Sequence, residues 1–263
     1  MVNWPDYPDC PSNSRDSAAQ NDYPAAAAGK RWRVLTMNVQ HDAGDPRRTG
    51  LLNGELRDLS VDLAALQEVR YPDQLAALVA GTGLRHVTHQ SRVLGPSPEV
   101  DRYGGTAVAT RLPHRVAEVV ERRVDGFHFW TLAVLVRDIL FVVPTTPWQP
   151  GAAEVRDRQA AEVVAMADRA PGPVVVAGDL NAVPGAASVL RLATRFADAE
   201  AGDTWTAANP LAAAEIARTG CEPGRLDYVL ASGLDVLSAR LVCDRPVDGV
   251  WLSDHAAVLA ELG

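Results

Sequence analysis

Side chains that can bind a metal ion or a phosphate stand at the ends or starts of five apolar, strand-like segments of this sequence. They are acids, amides and one histidine: Asn38, Glu68, Asp179, Asn181, Asp227, Asp254 and His255. Singly, such residues are usually turn residues, helix caps or structural histidines. As a set they indicate a metal-binding site, because oxygen ligands gathered at strand ends are what a hard cation such as Mg²⁺ requires.

The segments before these residues have the patterns of strands. RWRVLTMN reaches Asn38, LAALQ leads to Glu68, and PVVVAGD ends on Asp179, each with the apolar, often β-branched character of a buried strand. Residues 115–143 read as successive antiparallel strands, and residues 151–170 form an amphipathic helix pattern. Mixed helices and strands with antiparallel runs in both halves predict sheet packed on sheet with helices outside.

Composition and charge narrow the class of protein. The chain has 263 residues, 47% of them hydrophobic, which suffices for a large core. Its 25 basic residues against 33 acidic ones give a net charge of -8, which disfavours a protein that grips a nucleic-acid backbone. Three widely spaced cysteines, Cys10, Cys221 and Cys243, indicate neither a disulfide framework nor a zinc cluster. We therefore expect a reducing, cytoplasmic setting.

Residues 1–30 differ from the rest of the chain. They are rich in Pro, Ser, Asp, Asn and Ala and lack a positive start followed by an apolar run, so they predict a flexible tail and not a secretory signal. Residues 31–263 then form a single predicted domain. No apolar run in the sequence approaches the length that spans a membrane.

Five motifs, in order, carry a resemblance to a known family. LTMNVQ, ALQEV, GDLNAVPG, RLDYVLAS and SDHAAVLAEL together resemble the endonuclease/exonuclease/phosphatase superfamily of DNase I-like metal-dependent phosphoesterases. Any one of these strings is a weak signal, whereas GDLN with a terminal SDH and a preceding QE is specific. The resemblance implies a four-layer α/β/β/α sandwich of two mixed, mainly antiparallel sheets flanked by helices, with the active site at one edge.

The resemblance also implies roles for the residues of the first three motifs. Glu68 is then the principal metal carboxylate, with Asn38 beside it, and the metal is Mg²⁺ or Mn²⁺. Asp179 and Asn181 orient or deprotonate the attacking water and hold the phosphate.

The last two motifs imply a second group of roles. His255, paired with a carboxylate, contacts phosphoryl oxygens and shuttles a proton, and Asp254 orients the site or binds metal. Asp227 supports the histidine or the phosphate, and Arg225 reaches a phosphate oxygen.

The segment FVVPTTPW departs from the family pattern. Many family members place a catalytic histidine after this strand, in a Thr-His-Leu context, whereas Thr145 or Thr146 stands here, depending on how the strand is compared. The hydroxyl of Thr145 or Thr146 can donate one hydrogen bond to a phosphate oxygen, but it cannot shuttle a proton near neutral pH or bear positive charge. Because loss of a general acid costs about 10²–10⁴ in rate, we expect a slower enzyme or a leaving group that needs less protonation. Of the spare histidines His41 is the best placed, although a surface-loop role suits it better.

The segment DRYGGTAVATRLP resembles the family segment beside the substrate groove. Arg102 or Tyr103 would contact a phosphate or a ring there, while the glycines suit a plain turn before a strand.

The sequence therefore predicts a cytoplasmic, monomeric or weakly oligomeric hydrolase that acts with Mg²⁺ or Mn²⁺ on a phosphoester. Its acidic balance favours a small phosphorylated substrate over long DNA, and no membrane association is expected. Two alternatives stay open. One is a family member reshaped around the missing histidine, either a non-hydrolytic binding protein or an enzyme of a specialised pathway; the other is a nuclease.

Overall fold

Two six-stranded sheets make up the centre of the computed structural model, which describes residues 30–95 and 104–263. The strands in these ranges are β1 (Trp32–Asn38), β2 (Leu63–Val69), β3 (His86–His89), β4 (Gly105–Thr110), β5 (Arg115–Val124), β6 (Phe127–Val136), β7 (Ile139–Thr145), β8 (Val174–Asp179), β9 (Ala197–Asp198), β10 (Asp227–Ser232), β11 (Val236–Val242) and β12 (Ala257–Leu262). The helices are α1 (Arg48–Leu59), α2 (Asp73–Val79), α3 (Gln90–Val93), α4 (Ala153–Arg169), α5 (Ala187–Ala193) and α6 (Pro210–Thr219), with a 3₁₀ helix at Pro150–Ala152.

The sheet topology confirms the predicted α/β sandwich. One sheet has the order β11-β12-β1-β2-β4-β3 and the other β5-β6-β7-β8-β10-β9. The pairs β1–β2 and β7–β8 are parallel, and the other paired strands of the described residues run antiparallel. The sheets are thus mixed and mainly antiparallel, as predicted.

Three apolar layers hold the sandwich together. Alternate side chains of both sheets, among them Trp32, Phe141 and Val229, meet in a buried layer between the sheets. Leu52 and Leu56 of α1 pack on the outer face of the first sheet, and α4 and α5 cover the outer face of the second. Because successive strand residues point to opposite faces, a strand covered on both sides must be apolar throughout, which explains the continuous apolar runs in the sequence.

The strand directions bring the polar strand ends to one edge. The parallel pair β1–β2 places Asn38 beside Gln67, the residue before Glu68. In the other sheet, β10 runs antiparallel to β8, so Asp227 at its start pairs with Asp179 at the end of β8. Strand β12 runs antiparallel to β1, so the residues before Ala257 reach the end of β1. The edge is therefore assembled from both sheets.

Most predicted elements are confirmed, and the differences are local. The stretch containing residues 209–224, which had no predicted element, contains α6, capped by Asn209, whose side chain accepts a hydrogen bond from the Leu211 amide. The short strands β3 and β9 were not predicted, since four and two residues give too little periodicity to detect. The predicted tail and the two candidates Arg102 and Tyr103 lie outside the described residues, apart from Lys30.

None of the helices formed by residues 30–95 and 104–263 combines the length and apolar character needed to cross a membrane.

Candidate active site

Asn38 connects two acidic residues that the sequence places far apart. Its buried side-chain amide donates to Glu68 Oε1 at 3.1 Å and to Asp179 Oδ2 at 3.2 Å. Its Oδ1 accepts a hydrogen bond from the Gln40 backbone amide at 2.9 Å, which fixes the amide orientation. The donors of this amide are therefore aimed at carboxylates of both sheets.

The backbone at Glu68 has an unusual local structure. Glu68 has a φ of 53°, and the pairing of β2 with β4 shifts between Leu66 and Val69. Such an irregularity re-aims a side chain at the end of a strand. Gly104, with a φ of +75°, packs so closely that a Cβ there would lie 2.5 Å from the Glu68 carbonyl carbon. Only glycine fits this approach.

Gly104→Ala is expected to lower the free energy of unfolding by about 2–4 kcal/mol, because left-handed backbone and overpacking both add cost. Gly126→Ala is the matched control, since Gly126 has a φ of +82° but no atom of the described residues, its chain neighbours apart, lies within 4 Å of the place that a Cβ would occupy. That control should lose only about 1–2 kcal/mol. Urea unfolding measures both values. An equal loss in the two variants would contradict the close-packing argument.

Asp179 and Asn181 form a tight turn after β8. The Asn181 backbone amide donates to Asp179 Oδ1 at 2.9 Å, and Asn181 has a φ of 46°. Asparagine tolerates this conformation better than most residues. The Asn181 side-chain amide lies 3.3 Å from the Thr146 carbonyl oxygen, and the Thr146 hydroxyl donates to the Asp179 carbonyl at 3.3 Å. Thr146 thus borders this turn.

His255 and Asp227 form a buried pair at the centre of the site. His255 Nδ1 lies 2.8 Å from Asp227 Oδ2, and both side chains are buried. Because an ionised carboxylate only accepts, Nδ1 carries a proton. Ligand atoms of Asp179, Asp227 and His255 lie within 4.8 Å of one another. The other carboxylate oxygen of Asp227, Oδ1, is buried with no hydrogen-bond partner among the described residues.

Asp254 is held at the site through its neighbour Ser253. The Ser253 hydroxyl donates to the Asn38 carbonyl oxygen at 2.6 Å and lies 3.2 Å from Asp254 Oδ1. The His255 backbone amide donates to the same hydroxyl oxygen at 3.2 Å. The SDH motif is therefore fastened to the end of β1.

The proximity of the acids changes their pKa values. Loss of hydration, together with the negative charge of Asp254, raises the pKa of Glu68 to about 7. Loss of hydration and the charge of Asp227 raise the pKa of Asp179 to about 6. Burial alone lowers the pKa of His255, but the charges of Asp227 and Asp179 outweigh it and raise the pKa well above its usual value.

This electrostatic arrangement suits a divalent cation. The side chains offer carboxylate and amide oxygens, the donors that hard cations prefer. Repulsion among Glu68, Asp254 and Asp179 is a cost that a bound cation relieves. The residues present therefore fit a Mg²⁺ or Mn²⁺ ion.

Chelator-treated wild-type protein is expected to lose stability relative to Glu68→Gln as pH rises from about 4.5 to about 7. Below pH 4.5 Glu68 is protonated in both the folded and unfolded states. With a folded-state pKa near 7 and an ordinary value of 4.5, the folded protein retains a proton that the unfolded chain has released. The relative loss is on the order of 3 kcal/mol, measurable by urea unfolding in EDTA. A pH-independent difference between the two proteins would contradict the raised pKa.

The remaining predicted residues lie in different surroundings. The Thr145 hydroxyl hydrogen-bonds the Thr106 hydroxyl, and its carbonyl accepts from the Gln159 side chain at 3.1 Å. Of the two threonines, Thr146 is the one that contacts the Asp179–Asn181 turn. Arg225 forms a two-bond ion pair with Asp198, at 3.0 and 2.8 Å, so its charge is already compensated. Its contact with a phosphate stays a prediction.

Several supporting residues could not be identified from the sequence. Thr204 Oγ1 accepts from the backbone amides of Leu226 and Asp227 at 3.1 and 3.2 Å, and Asn209 donates to the Ser253 carbonyl at 2.8 Å. Arg48 is buried and bonds main-chain carbonyls of two site loops. Their type and spacing match no motif, so only the three-dimensional arrangement identifies them.

The fold is that of the DNase I-like phosphoesterases. The chain belongs to the Endonuclease/Exonuclease/phosphatase family, whose model matches residues 35–255. Membership makes the protein a hydrolase of the kind that acts on phosphoester bonds. No curated protein sequence matches the chain.

Solved structures agree on the fold. D. rerio TDP2, complexed with single strand DNA product, has 17% sequence identity and a TM-score of 0.68, covering 89% of this chain and 99% of that chain. An endonuclease/exonuclease/phosphatase from Bacteroides vulgatus has 18% identity and a TM-score of 0.65, with coverage of 89% and 99%. The human Nocturnin catalytic domain with bound sulfate anion has 19% identity and a TM-score of 0.62, with coverage of 89% and 94%.

Proposed function

We propose that this protein is a divalent-metal-dependent hydrolase of small phosphorylated molecules. One observation carries the proposal: Asn38 bonds both Glu68 and Asp179 at the same sheet edge where Asp179, Asp227 and His255 meet. Hydrolysis of a phosphoester requires charge neutralisation, an in-line water and help for the leaving oxygen. This edge offers a group suited to each requirement.

Metal binding falls to the Glu68 side of the site. Glu68 is the principal ligand, with Asn38 beside it and Asp254 as a further carboxylate. When bound, Mg²⁺ or Mn²⁺ supplies Lewis-acid neutralisation of the phosphoryl charge. Asn38, whose amide donates to Glu68 Oε1, holds that carboxylate in one orientation. Metal-binding side chains are typically oriented by hydrogen bonds of this kind from neighbouring residues.

Water and phosphate positioning falls to the β8 turn. Asp179 accepts hydrogen bonds from the Asn38 side chain and the Asn181 backbone, which leaves its carboxylate fixed in place. A fixed carboxylate with a pKa near 6 orients an attacking water and accepts its proton near neutral pH. The Asn181 side-chain amide serves as a donor to the phosphate.

His255 acts on the phosphoryl oxygens. Its Nδ1–H is held by Asp227, so Nε2 is the nitrogen available to a ligand. With a raised pKa the ring is a cation that donates from Nε2 to a phosphoryl oxygen. The pair thus provides positive charge where negative charge accumulates.

Charge favours a small substrate. The chain carries a net charge of -8 and shows no basic run, whereas a long nucleic acid is held by many phosphate contacts. Aromatic residues make up only 6% of the sequence, which gives little support to stacking along a single strand. We also propose that the protein acts in the cytoplasm as a monomer.

Turnover on a panel of phosphoesters tests this proposal. The panel contains p-nitrophenyl phosphate, bis-p-nitrophenyl phosphate, mononucleotides, and single- and double-stranded DNA, each with Mg²⁺ and with EDTA. We expect EDTA-sensitive turnover on small esters. Turnover confined to DNA would establish the nuclease alternative, and an inactive protein without a metal-dependent thermal shift would favour the binding-protein alternative. DNA belongs in the panel because TDP2 was solved with a DNA product.

Thr146→His is expected to raise turnover about tenfold or more, because a general acid contributes about 10²–10⁴ in rate. Thr146 borders the Asp179–Asn181 turn, so an imidazole there reaches the site. Thr145→His is the control and should bring no gain, since the Thr145 hydroxyl is engaged with Thr106. Steady-state kinetics on both variants measure this. A gain at position 145, or none at 146, would contradict the assignment.

A further inference from the structure

The side chain of Arg48 is a buried cation at the site edge, and all three of its nitrogens donate hydrogen bonds. It projects from the first residue of α1 and is 5% exposed. Nε donates to the Leu252 carbonyl at 2.9 Å and Nη2 to the Val39 carbonyl at 2.5 Å. Nη1 donates to the carbonyls of Gln40, at 3.4 Å, and Ala43. One guanidinium therefore binds two separate segments of chain.

The first of these segments supports Glu68. In the loop after β1, Gln40 and His41 have φ values of 52° and 37°, conformations that side-chain-bearing residues rarely adopt. The His41 backbone amide donates to the Glu68 carbonyl at 2.7 Å. Because Arg48 binds carbonyls on both sides of His41, it keeps this loop in the conformation that reaches Glu68.

The second segment supports the SDH motif. Leu252, whose carbonyl accepts from Arg48, directly precedes Ser253. The Ser253 hydroxyl bonds the Asn38 carbonyl and lies beside Asp254. Arg48 thus ties the loop that carries Asp254 and His255 to the loop that contacts Glu68.

The charge of Arg48 has no ion-pair partner among residues 30–95 and 104–263, since its acceptors are all main-chain carbonyls. A buried, unpaired cation is costly unless nearby charge offsets it. Burial lowers the pKa of Arg48, and the negative charges of Asp254 and Glu68 raise it in part. The acidic residues of the site, together with Asp42, therefore balance its charge.

We propose that Arg48 is a positioning residue that locks the Glu68 loop and the Ser253–His255 loop together, so that both carry their side chains to the metal site. This inference rests on the proposed function. Lysine cannot replace arginine in this role. An ammonium is a point donor, whereas the planar guanidinium presents its donors in a fixed fork that spans several acceptors.

The test compares Arg48→Lys and Arg48→Met with wild type. Both variants are expected to lower kcat about 10–100-fold with KM changed less than about threefold, and to weaken Mg²⁺ binding in calorimetry by about tenfold or more. Arg111→Met is the control, because Arg111 pairs with Asp62 away from the site and should leave both values unchanged. Wild-type kcat and Mg²⁺ affinity in Arg48→Lys, or equal losses in Arg111→Met, would overturn the proposal.

A measurement on the wild-type protein covers the case in which neither Arg48 variant folds. The Arg48 Nε–H, assigned through bonds by NMR, should exchange with solvent at least about 100-fold more slowly than the Nε–H of the more exposed Arg47. Equal exchange rates for the Arg48 and Arg47 Nε–H groups would contradict the proposed positioning role of Arg48. This experiment needs neither metal nor substrate, so an inactive wild-type protein would refute the proposed function without deciding the role of Arg48.

Discussion

His255→Gln is expected to lower kcat about 10²–10⁴-fold while Mg²⁺ affinity stays within about threefold of wild type. The imidazole is buried against Asp227 at 2.8 Å, and the acids around it keep it protonated. Glutamine retains a hydrogen-bond donor of similar reach but not the positive charge or a transferable proton. The decrease in kcat therefore measures the contribution of the positive charge and the transferable proton of His255, not that of the shape of its side chain.

Asp227→Asn provides the companion measurement for this pair. The charge of Asp227 is the main influence that raises the pKa of His255, so the pKa should fall in this variant. We expect a decrease in kcat comparable to that of His255→Gln, again with little change in calorimetric Mg²⁺ affinity. The effects of substituting residues that act as a unit are not additive, so kcat of the double variant should be scarcely lower than kcat of either single variant. Full additivity, or a loss of metal binding equal to that of a Glu68 variant, would contradict the assigned roles.

Glu68→Gln is expected to abolish Mg²⁺ binding and, with it, turnover. The amide has the same shape but lacks the charge that a hard cation requires, and Glu68 is the carboxylate that Asn38 orients from the β1 side. We expect an affinity at least about 100-fold weaker by calorimetry, with kcat at the background rate at ordinary Mg²⁺ concentrations.

Glu261→Gln is the matched control for this change. Glu261 lies on β12 and pairs with Arg33, so its substitution should leave Mg²⁺ affinity and kcat unchanged. If Glu68→Gln kept the Mg²⁺ dependence of the wild type, the metal would have to bind at other residues. That result would refute the role of Glu68.

The fold was predictable because its signals are local and repeated. Continuous apolar runs such as the one ending on Asp179 mark strands covered on both faces, and the amphipathic pattern over α4 marks a helix on the outside. The polar residues that end these runs lie together at one edge of the sandwich, and their role as an active site stays a prediction. The pattern thus predicted sheet packed on sheet with helices outside, and the resemblance to the family implied the four layers.

The supporting contacts were not predictable, because they join residues far apart in the sequence through main-chain atoms. Arg48 bonds the Leu252 carbonyl 204 positions away, and any residue type offers that carbonyl. The choice between Thr145 and Thr146 likewise depends on which hydroxyl faces Asp179, a matter of one residue in register. The pairing of Arg225 with Asp198, 27 positions earlier in the chain, is equally invisible in the spacing of the motifs.

A crystal soaked with Mn²⁺ and inorganic phosphate tests the central claim most directly, because anomalous scattering locates the metal without assumption. We expect an Mn²⁺ peak within bonding distance of the Glu68 carboxylate, with phosphate oxygens contacting Asn181 and His255. Metal bound elsewhere, or no peak at saturating Mn²⁺ in crystals that retain activity, would contradict the proposal that these strand ends form a metal-dependent phosphoesterase site.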